Sequence, residues 1–241
     1  MIIGGLEKLT LLDYPEHLAA IIFTQGCNFR CHFCYNPMLV LPREGGDEKN
    51  KKEKGFSQLS LKNLFLFLSE RFGRLEGVVI TGGEPTLHPD LPSFIKKIKK
   101  IGYRVKLDTN GTNPLMLAQL IKAKLIDYIA MDIKAPFFKY QTVVGVPVDC
   151  NNLQKSVKII MTSGLPYEFR TTVVPGLLQL DDFTAMGESI KGANKWYLQR
   201  FKSDTDLVDA GYQAQAAYTL KEMASFAAIG KKYTDLCEVR G

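Results

Sequence analysis

Residues 27–34 read Cys-Asn-Phe-Arg-Cys-His-Phe-Cys and hold three of the chain's five cysteines. A tight loop can turn the thiolates of Cys27, Cys31 and Cys34 toward one point. A 4Fe–4S cluster usually takes four thiolates, so a set of three leaves one iron with an open position. Catalytic metal sites need such an open position, whereas structural sites are closed. The spacing therefore predicts a catalytic 4Fe–4S cluster on these cysteines.

Two other interpretations of the same cysteines stay open. His32 offers a fourth ligand for a structural zinc site, although it stands between two cysteines and would approach the metal from an awkward direction. The other interpretation is three buried thiols without a metal. Buried cysteines are common singly, but not at this density in a chain otherwise poor in cysteine. Cys150 and Cys237 are isolated in the sequence, and we expect both to be structural.

Short apolar runs alternate with longer amphipathic segments along the chain. Strands are expected over residues 19–23, 78–80, 103–107, 128–133, 168–174, 196–201 and 236–239. Helices are expected over residues 61–72, 91–101, 153–161 and 217–229, and two more from residues 114 and 181 onward. This alternation predicts βαβ units and a parallel sheet.

Six such units fit into the 241 residues. A closed eight-unit barrel typically takes about 250 residues, with little to spare. The expected fold class is therefore α/β, a partial (β/α)6 TIM-like barrel with a parallel sheet, in a single domain over residues 1–241.

Composition and charge exclude several functions. A net charge of +6 is modest, and the lysines of residues 96–100 belong to an expected amphipathic helix, so we expect no nucleic-acid partner. No apolar run reaches the roughly 18 residues of a membrane span, and we expect no secretory leader and no membrane partner. Clustered free cysteines fit a reducing, cytoplasmic setting. Residues 42–57 are almost without apolar side chains and predict a mobile surface loop.

The cysteine spacing C-x3-C-x2-C, with the aromatic Phe33 before the third cysteine, resembles the signature of radical S-adenosylmethionine enzymes. In that family the cofactor's amino and carboxylate groups chelate the open iron. Reductive cleavage then yields methionine and a 5′-deoxyadenosyl radical, which abstracts a hydrogen atom from the substrate. The resemblance implies a radical SAM core fold, a 4Fe–4S cluster and S-adenosylmethionine. It also implies that Phe33 and the Tyr35 backbone border the adenine.

The second expected βα unit carries a Gly-Gly-Glu sequence directly after its strand. Gly82 and Gly83 allow a close approach of backbone to a ligand, and Glu84 can accept hydrogen bonds from an ammonium group. A Gly-Gly turn alone is weak evidence. Beside the cysteine loop it is similar to the family's GGE motif, which binds the amino group of the methionine moiety.

The third expected strand ends in Asp108-Thr109-Asn110-Gly111. A simple βα turn is one interpretation, because Asp and Asn are common in turns. In the family, a polar cluster at this strand end contacts the ribose or the methionine moiety. The resemblance therefore implies cofactor contacts for Asp108 and Asn110.

The fourth expected strand ends in Asp132 and Lys134, which share one side of the strand. Charged groups facing a barrel interior need partners or a ligand. The pair resembles the D-x-K element of glycyl-radical enzyme activating enzymes, which contacts the cofactor and a monovalent cation. By the same resemblance, the candidate cation ligands are Asp108, Thr109, Asp132 and the Ala130 carbonyl.

Arg170 lies on the fifth expected strand, among apolar residues. It predicts either an ion pair across the core or a guanidinium fork for a carboxylate of the cofactor or substrate. The family places an arginine here, before a Val-Val-Pro-Gly like that of residues 173–176. Gln199, on the sixth strand, stands near the place where close relatives have a cofactor-contacting histidine. Gln199 can form hydrogen bonds but cannot titrate.

The sequence Leu12-Asp13-Tyr14-Pro15 precedes the first expected strand. A polar β-turn is one interpretation. The other is a resemblance to the Asp-Gly-Pro turn of glycyl-radical enzyme activating enzymes, whose aspartate positions the glycine loop of the substrate enzyme. Tyr14 departs from that pattern.

The resemblance covers nearly the whole chain and has its closest form in the activating proteins of anaerobic ribonucleoside-triphosphate reductase. It implies an activase that removes a hydrogen from a glycine of that partner, with a flavodoxin- or ferredoxin-type electron donor. The catalytic residues it implies are Asp13, Asp132, Lys134 and Arg170. Two alternatives remain, a radical enzyme acting on a small molecule, like 7-carboxy-7-deazaguanine synthase, and a non-enzymatic metal-binding module.

Overall fold

A computed structural model describes residues 1–40 and 59–240. The predicted loop of residues 42–57 lies outside the described residues. The chain divides into two compact units. The first comprises Met1–Asn28, Met38–Thr109 and Leu115–Ile129, and the second comprises Phe29–Pro37, Asn110–Pro114 and Ala130–Gly241. That the chain acts as a single domain stays a prediction.

The described residues form eight strands, hydrogen-bonded in chain order. The strands are β1 Ile3–Thr10, β2 Ala19–Thr24, β3 Gly77–Gly82, β4 Arg104–Thr109, β5 Tyr128–Asp132, β6 Tyr167–Val173, β7 Ala193–Arg200 and β8 Thr234–Arg240. The helices are α1 Pro37–Val40, α2 Leu61–Arg71, α3 Leu91–Ile101, α4 Pro114–Lys122, α5 Tyr140–Val144, α6 Cys150–Met161, α7 Asp182–Ser189 and α8 Leu220–Gly230. None of these described helices has the length and apolar character that crossing a bilayer requires.

Strand β1 is the main element that the sequence did not predict. Its residues, Ile-Gly-Gly-Leu-Glu-Lys-Leu-Thr, carry two glycines and adjacent charges, which weaken the strand signal. It pairs antiparallel with β2, from Ile3 opposite Thr24 to Thr10 opposite Ala19, with two irregularities in register. The strand therefore forms through its non-local partner rather than through its own propensity.

In the first unit, β2 pairs with β3 and β3 with β4, both in parallel. Thr24 lies opposite Gly82, so the carboxyl ends of these strands share one edge. Helix α3 buries Leu91, Phe94, Ile95 and Ile98, the i, i+3, i+4, i+7 face of an amphipathic helix.

In the second unit, β6, β7 and β8 are successive parallel neighbours. Trp196 of β7 is fully buried, stacks against Phe183 of α7, and donates a hydrogen bond from Nε1 to the Thr171 hydroxyl of β6. Helix α8 lies so close to β8 that a Cβ at Gly230 would stand 2.4 Å from the sulfur of Cys237. Cys237 therefore fills the core beneath this helix.

Candidate active site

The Gly-Gly-Glu segment of the first unit runs alongside the residues that lead to Cys27. The amide of Gly83 donates to the Thr24 carbonyl at 2.9 Å, and the amide of Glu84 donates to the Gly26 carbonyl at 2.8 Å. These bonds continue the parallel pairing of β2 and β3 beyond both strand ends. The start of the cysteine loop and the Gly-Gly-Glu segment are therefore fixed against each other.

Both glycines of this segment are required by the backbone around them. Gly82 has φ +111°, and a Cβ there would lie 2.4 Å from the Thr24 amide nitrogen. A Cβ on Gly83 would lie 1.9 Å from the Gly26 carbonyl oxygen. The close approach expected at these glycines is thus made by the chain's own backbone.

Glu84 is fully buried at this edge. Its Oε1 accepts hydrogen bonds from the Thr86 amide and hydroxyl, and from the Thr109 hydroxyl at the end of β4. The local bonds cap the short 3-10 turn Pro85–Leu87. The bond from Thr109 instead joins the ends of two neighbouring strands.

Asp108 has a partner that the sequence analysis missed. Lys106 is 1% exposed, and its Nζ lies 2.7 Å from the Asp108 carboxylate. Residues two apart share one side of a strand, so β4 places both on the same face. The sequence did contain a signal for this pair, because Lys106 and Asp108 are charged residues two positions apart, the same spacing that drew attention to Asp132 and Lys134.

Asp13, expected to position the glycine loop of a substrate enzyme, lies in a turn after β1. The amides of Leu12 and Asp13 donate to the Thr10 hydroxyl oxygen at 3.2 Å, and that hydroxyl donates to the Asp13 carboxylate. Thr10 pairs with Ala19, so this turn sits at the amino end of β2, whereas Cys27 follows the carboxyl end. A six-residue strand is roughly 17 Å long. The turn lies at that end because β1, which the sequence did not predict, runs antiparallel to β2.

Cys31 and Cys34 belong to the second unit and form a turn in which the Cys34 amide donates to the Cys31 carbonyl at 3.1 Å. Burial raises the pKa of the Cys34 thiol, while the Asn36 amide and the Lys134 ammonium partly counter this rise. Phe33 is buried between the two cysteines, and the Nζ of Lys134 lies 5.9 Å from its ring centroid. The cysteine turn therefore packs beside a cation.

Asp132, Lys134 and Arg170 form one charge cluster in this unit. The Asp132 carboxylate lies 3.0 Å from Nε of Arg170 and 3.2 Å from Nζ of Lys134. Burial alone would raise the pKa of Asp132, but the two cations outweigh it and lower the pKa to about 2. Burial alone would lower the pKa of Lys134, but the negative charges of Asp132 and of the Cys31 thiolate raise it above its ordinary value. Arg170 thus makes the ion pair that was one of its two predicted roles.

Three other predicted residues have partners within the protein. Asn110 Oδ1 accepts from the Thr112 amide at 3.0 Å, which is the turn role foreseen for it. The Tyr35 hydroxyl accepts from the Lys202 amide at 2.9 Å. Gln199 of β7 is half-buried opposite Thr172 of β6.

The donor set of the cysteine loop fits an iron–sulfur cluster. Within residues 1–40 and 59–240, no three His, Cys, Asp or Glu side chains are arranged around a point where a single metal ion would sit. A 4Fe–4S cluster does not need such an arrangement, because each thiolate binds a different iron. Thiolates are stabilised by a neighbouring cation, and Lys134 supplies one beside Cys31 and Cys34.

An α/β fold with parallel strands, a C-x3-C-x2-C loop after β2 and a Gly-Gly-Glu segment after β3 define a radical S-adenosylmethionine enzyme. The chain belongs to the Radical SAM superfamily, whose family model matches residues 21–183. It is 31% identical over 244 aligned positions to a Methanocaldococcus jannaschii protein named as a candidate glycyl-radical enzyme activating enzyme. That match covers 99% of this chain and 95% of the relative.

A second relative agrees with this family, and a solved structure has a similar fold. The pyruvate formate-lyase-activating enzyme of Clostridium pasteurianum is 32% identical over 133 residues, covering 55% of this chain and 52% of that one. The structure of Streptococcus suis SuiB bound to its precursor peptide SuiA superposes with a TM-score of 0.65 at 14% identity, covering 92% of this chain and 48% of SuiB. The latter likeness shows the fold alone.

These findings confirm the predicted fold class, an α/β partial barrel with a radical SAM core. They also confirm that the chain is a radical SAM enzyme of the glycyl-radical activating type, which excludes the non-enzymatic module. The family implies a 4Fe–4S cluster and S-adenosylmethionine as cofactors.

Proposed function

We propose that this chain activates a glycyl-radical enzyme, anaerobic ribonucleoside-triphosphate reductase, by removing a hydrogen atom from a backbone glycine of that partner. The observation that carries the proposal is the alignment with an activating-enzyme relative over 99% of the chain. The choice of the reductase rests on the sequence resemblance. A flavodoxin- or ferredoxin-type protein is the proposed electron donor.

Cys27, Cys31 and Cys34 are the proposed ligands of the 4Fe–4S cluster. When bound, the cluster supplies the electron that cleaves S-adenosylmethionine into methionine and a 5′-deoxyadenosyl radical. Lys134 lies beside Cys31 and Cys34 and stabilises their thiolates by its charge. Thiolates rather than thiols are the metal ligands, so this cation favours the binding form.

The proposed contacts to S-adenosylmethionine follow the charge of its groups. The buried carboxylate of Glu84, beside Gly82 and Gly83, would accept hydrogen bonds from the α-amino group. Lys134 and Arg170, the cations on either side of the Asp132 carboxylate, would attract the carboxylate of S-adenosylmethionine by their charge.

The remaining proposed contacts are Asp108 and Asn110 to the ribose or methionine moiety, Phe33 and the Tyr35 backbone to the adenine, and a hydrogen bond from Gln199. A monovalent cation is also part of the proposal, and it would compete with internal cations for its ligands. Its proposed ligand Asp108 already pairs with Lys106, and Asp132 already pairs with two cations. Asp13, in the turn at the amino end of β2, stays a proposed residue for positioning the partner's glycine loop.

The test is anaerobic incubation of the reconstituted chain with reductant, S-adenosylmethionine and the candidate reductase. We expect 5′-deoxyadenosine and an EPR signal of a glycyl radical on the reductase. Cleavage of the cofactor without a radical on any candidate partner would contradict the proposal. A new small-molecule product in the absence of a partner would instead support the alternative, a radical enzyme with a small-molecule substrate.

A further inference from the structure

Three hydrogen-bond donors converge on a single oxygen of the buried Glu84 carboxylate. Oε1 accepts from the Thr86 amide at 3.0 Å, from the Thr86 hydroxyl, and from the Thr109 hydroxyl at 2.8 Å. Glu84, Thr86 and Thr109 are 0%, 1% and 4% exposed. A buried carboxylate is costly unless it is hydrogen-bonded, and bonds to a charged acceptor are stronger than neutral ones.

The two threonines reach Glu84 by different routes. Thr86 is two residues away, and its amide bond to Glu84 is the ordinary cap of the Pro85–Leu87 turn. Thr109 comes from the next strand. The β3–β4 register places Ile80 opposite Leu107, which in continuation sets Thr109 beside Gly82. A capped turn does not need this second strand, so the Thr109 bond calls for another explanation.

We propose that the hydroxyls of Thr86 and Thr109 are positioning groups, which fix the Glu84 carboxylate for the α-amino group of S-adenosylmethionine. This inference rests on the proposed function. Donors from two directions on Oε1 set the plane of the carboxylate, and the plane sets where Oε2 points. An acceptor fixed before binding loses less side-chain freedom when the ligand arrives, and this strengthens binding.

The substitutions that test this role remove one hydroxyl at a time. Thr109→Val keeps the side chain's shape and removes the donor, whereas Thr109→Ser keeps the donor. Thr86→Val tests the same oxygen independently, with the amide bond retained. The control is Thr234→Val, which removes a buried hydroxyl bonded to the Gly230 carbonyl.

Binding is measured on the reconstituted full-length chain, with two ligands. One is S-adenosylmethionine, and the other is an analogue in which hydrogen replaces the α-amino group. We expect Thr109→Val and Thr86→Val each to raise the Kd for S-adenosylmethionine about three- to tenfold, because the less constrained carboxylate must then be ordered when the ligand binds. Thr109→Ser and Thr234→Val should bind like the wild type. For the analogue, all variants should bind equally, because the group that Glu84 recognises is missing.

The outcomes separate this inference from the proposed function. A wild-type chain that does not bind S-adenosylmethionine overturns both. If the wild type binds it and the valine variants bind equally well, only the positioning role fails. It also fails if the valine variants lose affinity for both ligands by the same factor, since that pattern reports general damage. Should Thr109→Val not fold, Thr86→Val decides by the same comparison.

Discussion

Replacing Asp132 by Asn tests the charge cluster of the second unit, because it removes an anion that pairs with both Lys134 and Arg170. The pKa of Asp132 lies at about 2, below its ordinary value of 3.8. One pKa unit corresponds to about 1.4 kcal/mol. The Asp132 side chain is 28% exposed, so water screens part of the attraction. We therefore expect Asp132→Asn to lower the free energy of unfolding at neutral pH by about 1–2 kcal/mol.

The pH dependence of this loss has a defined sign. The folded-state pKa of Asp132 is depressed, so its contribution is complete above the ordinary pKa of 3.8 and disappears as the pH falls through about 2. The difference between wild type and variant should therefore shrink in acid. The assay is anaerobic urea unfolding of the apo chain at neutral and acidic pH. The control is Glu188→Gln, whose exposed ion pair with Lys191 should contribute less than about 0.5 kcal/mol.

A loss for Asp132→Asn no larger than that of the Glu188 control would refute the reasoning. So would a loss that stays constant as the pH is lowered toward the folded-state pKa of Asp132.

Three further predictions follow from the placement of single residues. In a chain lacking the three cluster cysteines, iodoacetamide should modify the half-exposed Cys150 before Cys237, because burial raises the pKa of Cys237 to about 12; equal rates by mass spectrometry would contradict this. Asp13→Asn should leave S-adenosylmethionine cleavage unchanged, because its turn lies at the amino end of β2, and a large loss of 5′-deoxyadenosine formation would contradict this. Exchanging sodium for potassium or for a bulky organic cation should change the cleavage rate less than about twofold, since a bound cation competes with internal cations for both proposed carboxylate ligands. A strict requirement for one metal cation would contradict that pairing.

Local patterns in the sequence were sufficient for most of the fold. Helix α3 is amphipathic, as expected, and buries its apolar face, and Ser60 caps α2 by accepting a hydrogen bond from the Asn63 amide. These features depend on residues three or four positions apart, which the sequence displays directly.

Features that depend on distant partners were missed. Strand β1 has little strand propensity of its own and is held by β2. Because β1 was not predicted, the location of the Asp13 turn at the amino end of β2 was not predicted either. The steric requirement for glycine at position 83 is equally non-local, because a Cβ there would clash with the Gly26 carbonyl oxygen. A sequence read residue by residue shows that these glycines and turns exist, but not what they face.

The candidate site was predicted at the level of residues more fully than at the level of contacts. The Asp132, Lys134 and Arg170 side chains form one cluster, as charges on neighbouring strand ends should. The partners that hold Glu84 and Asp108, namely Thr109 and Lys106, were not assigned to them, because burial of a lysine or threonine within a strand cannot be read from its type.

The most direct measurement of the central claim is reductive cleavage of S-adenosylmethionine by the anaerobically reconstituted chain, compared with Cys31→Ala. The account predicts formation of 5′-deoxyadenosine by the wild type and none by the variant, since Cys31 is a proposed ligand of the cluster. Undiminished cleavage by the Cys31→Ala variant would contradict it.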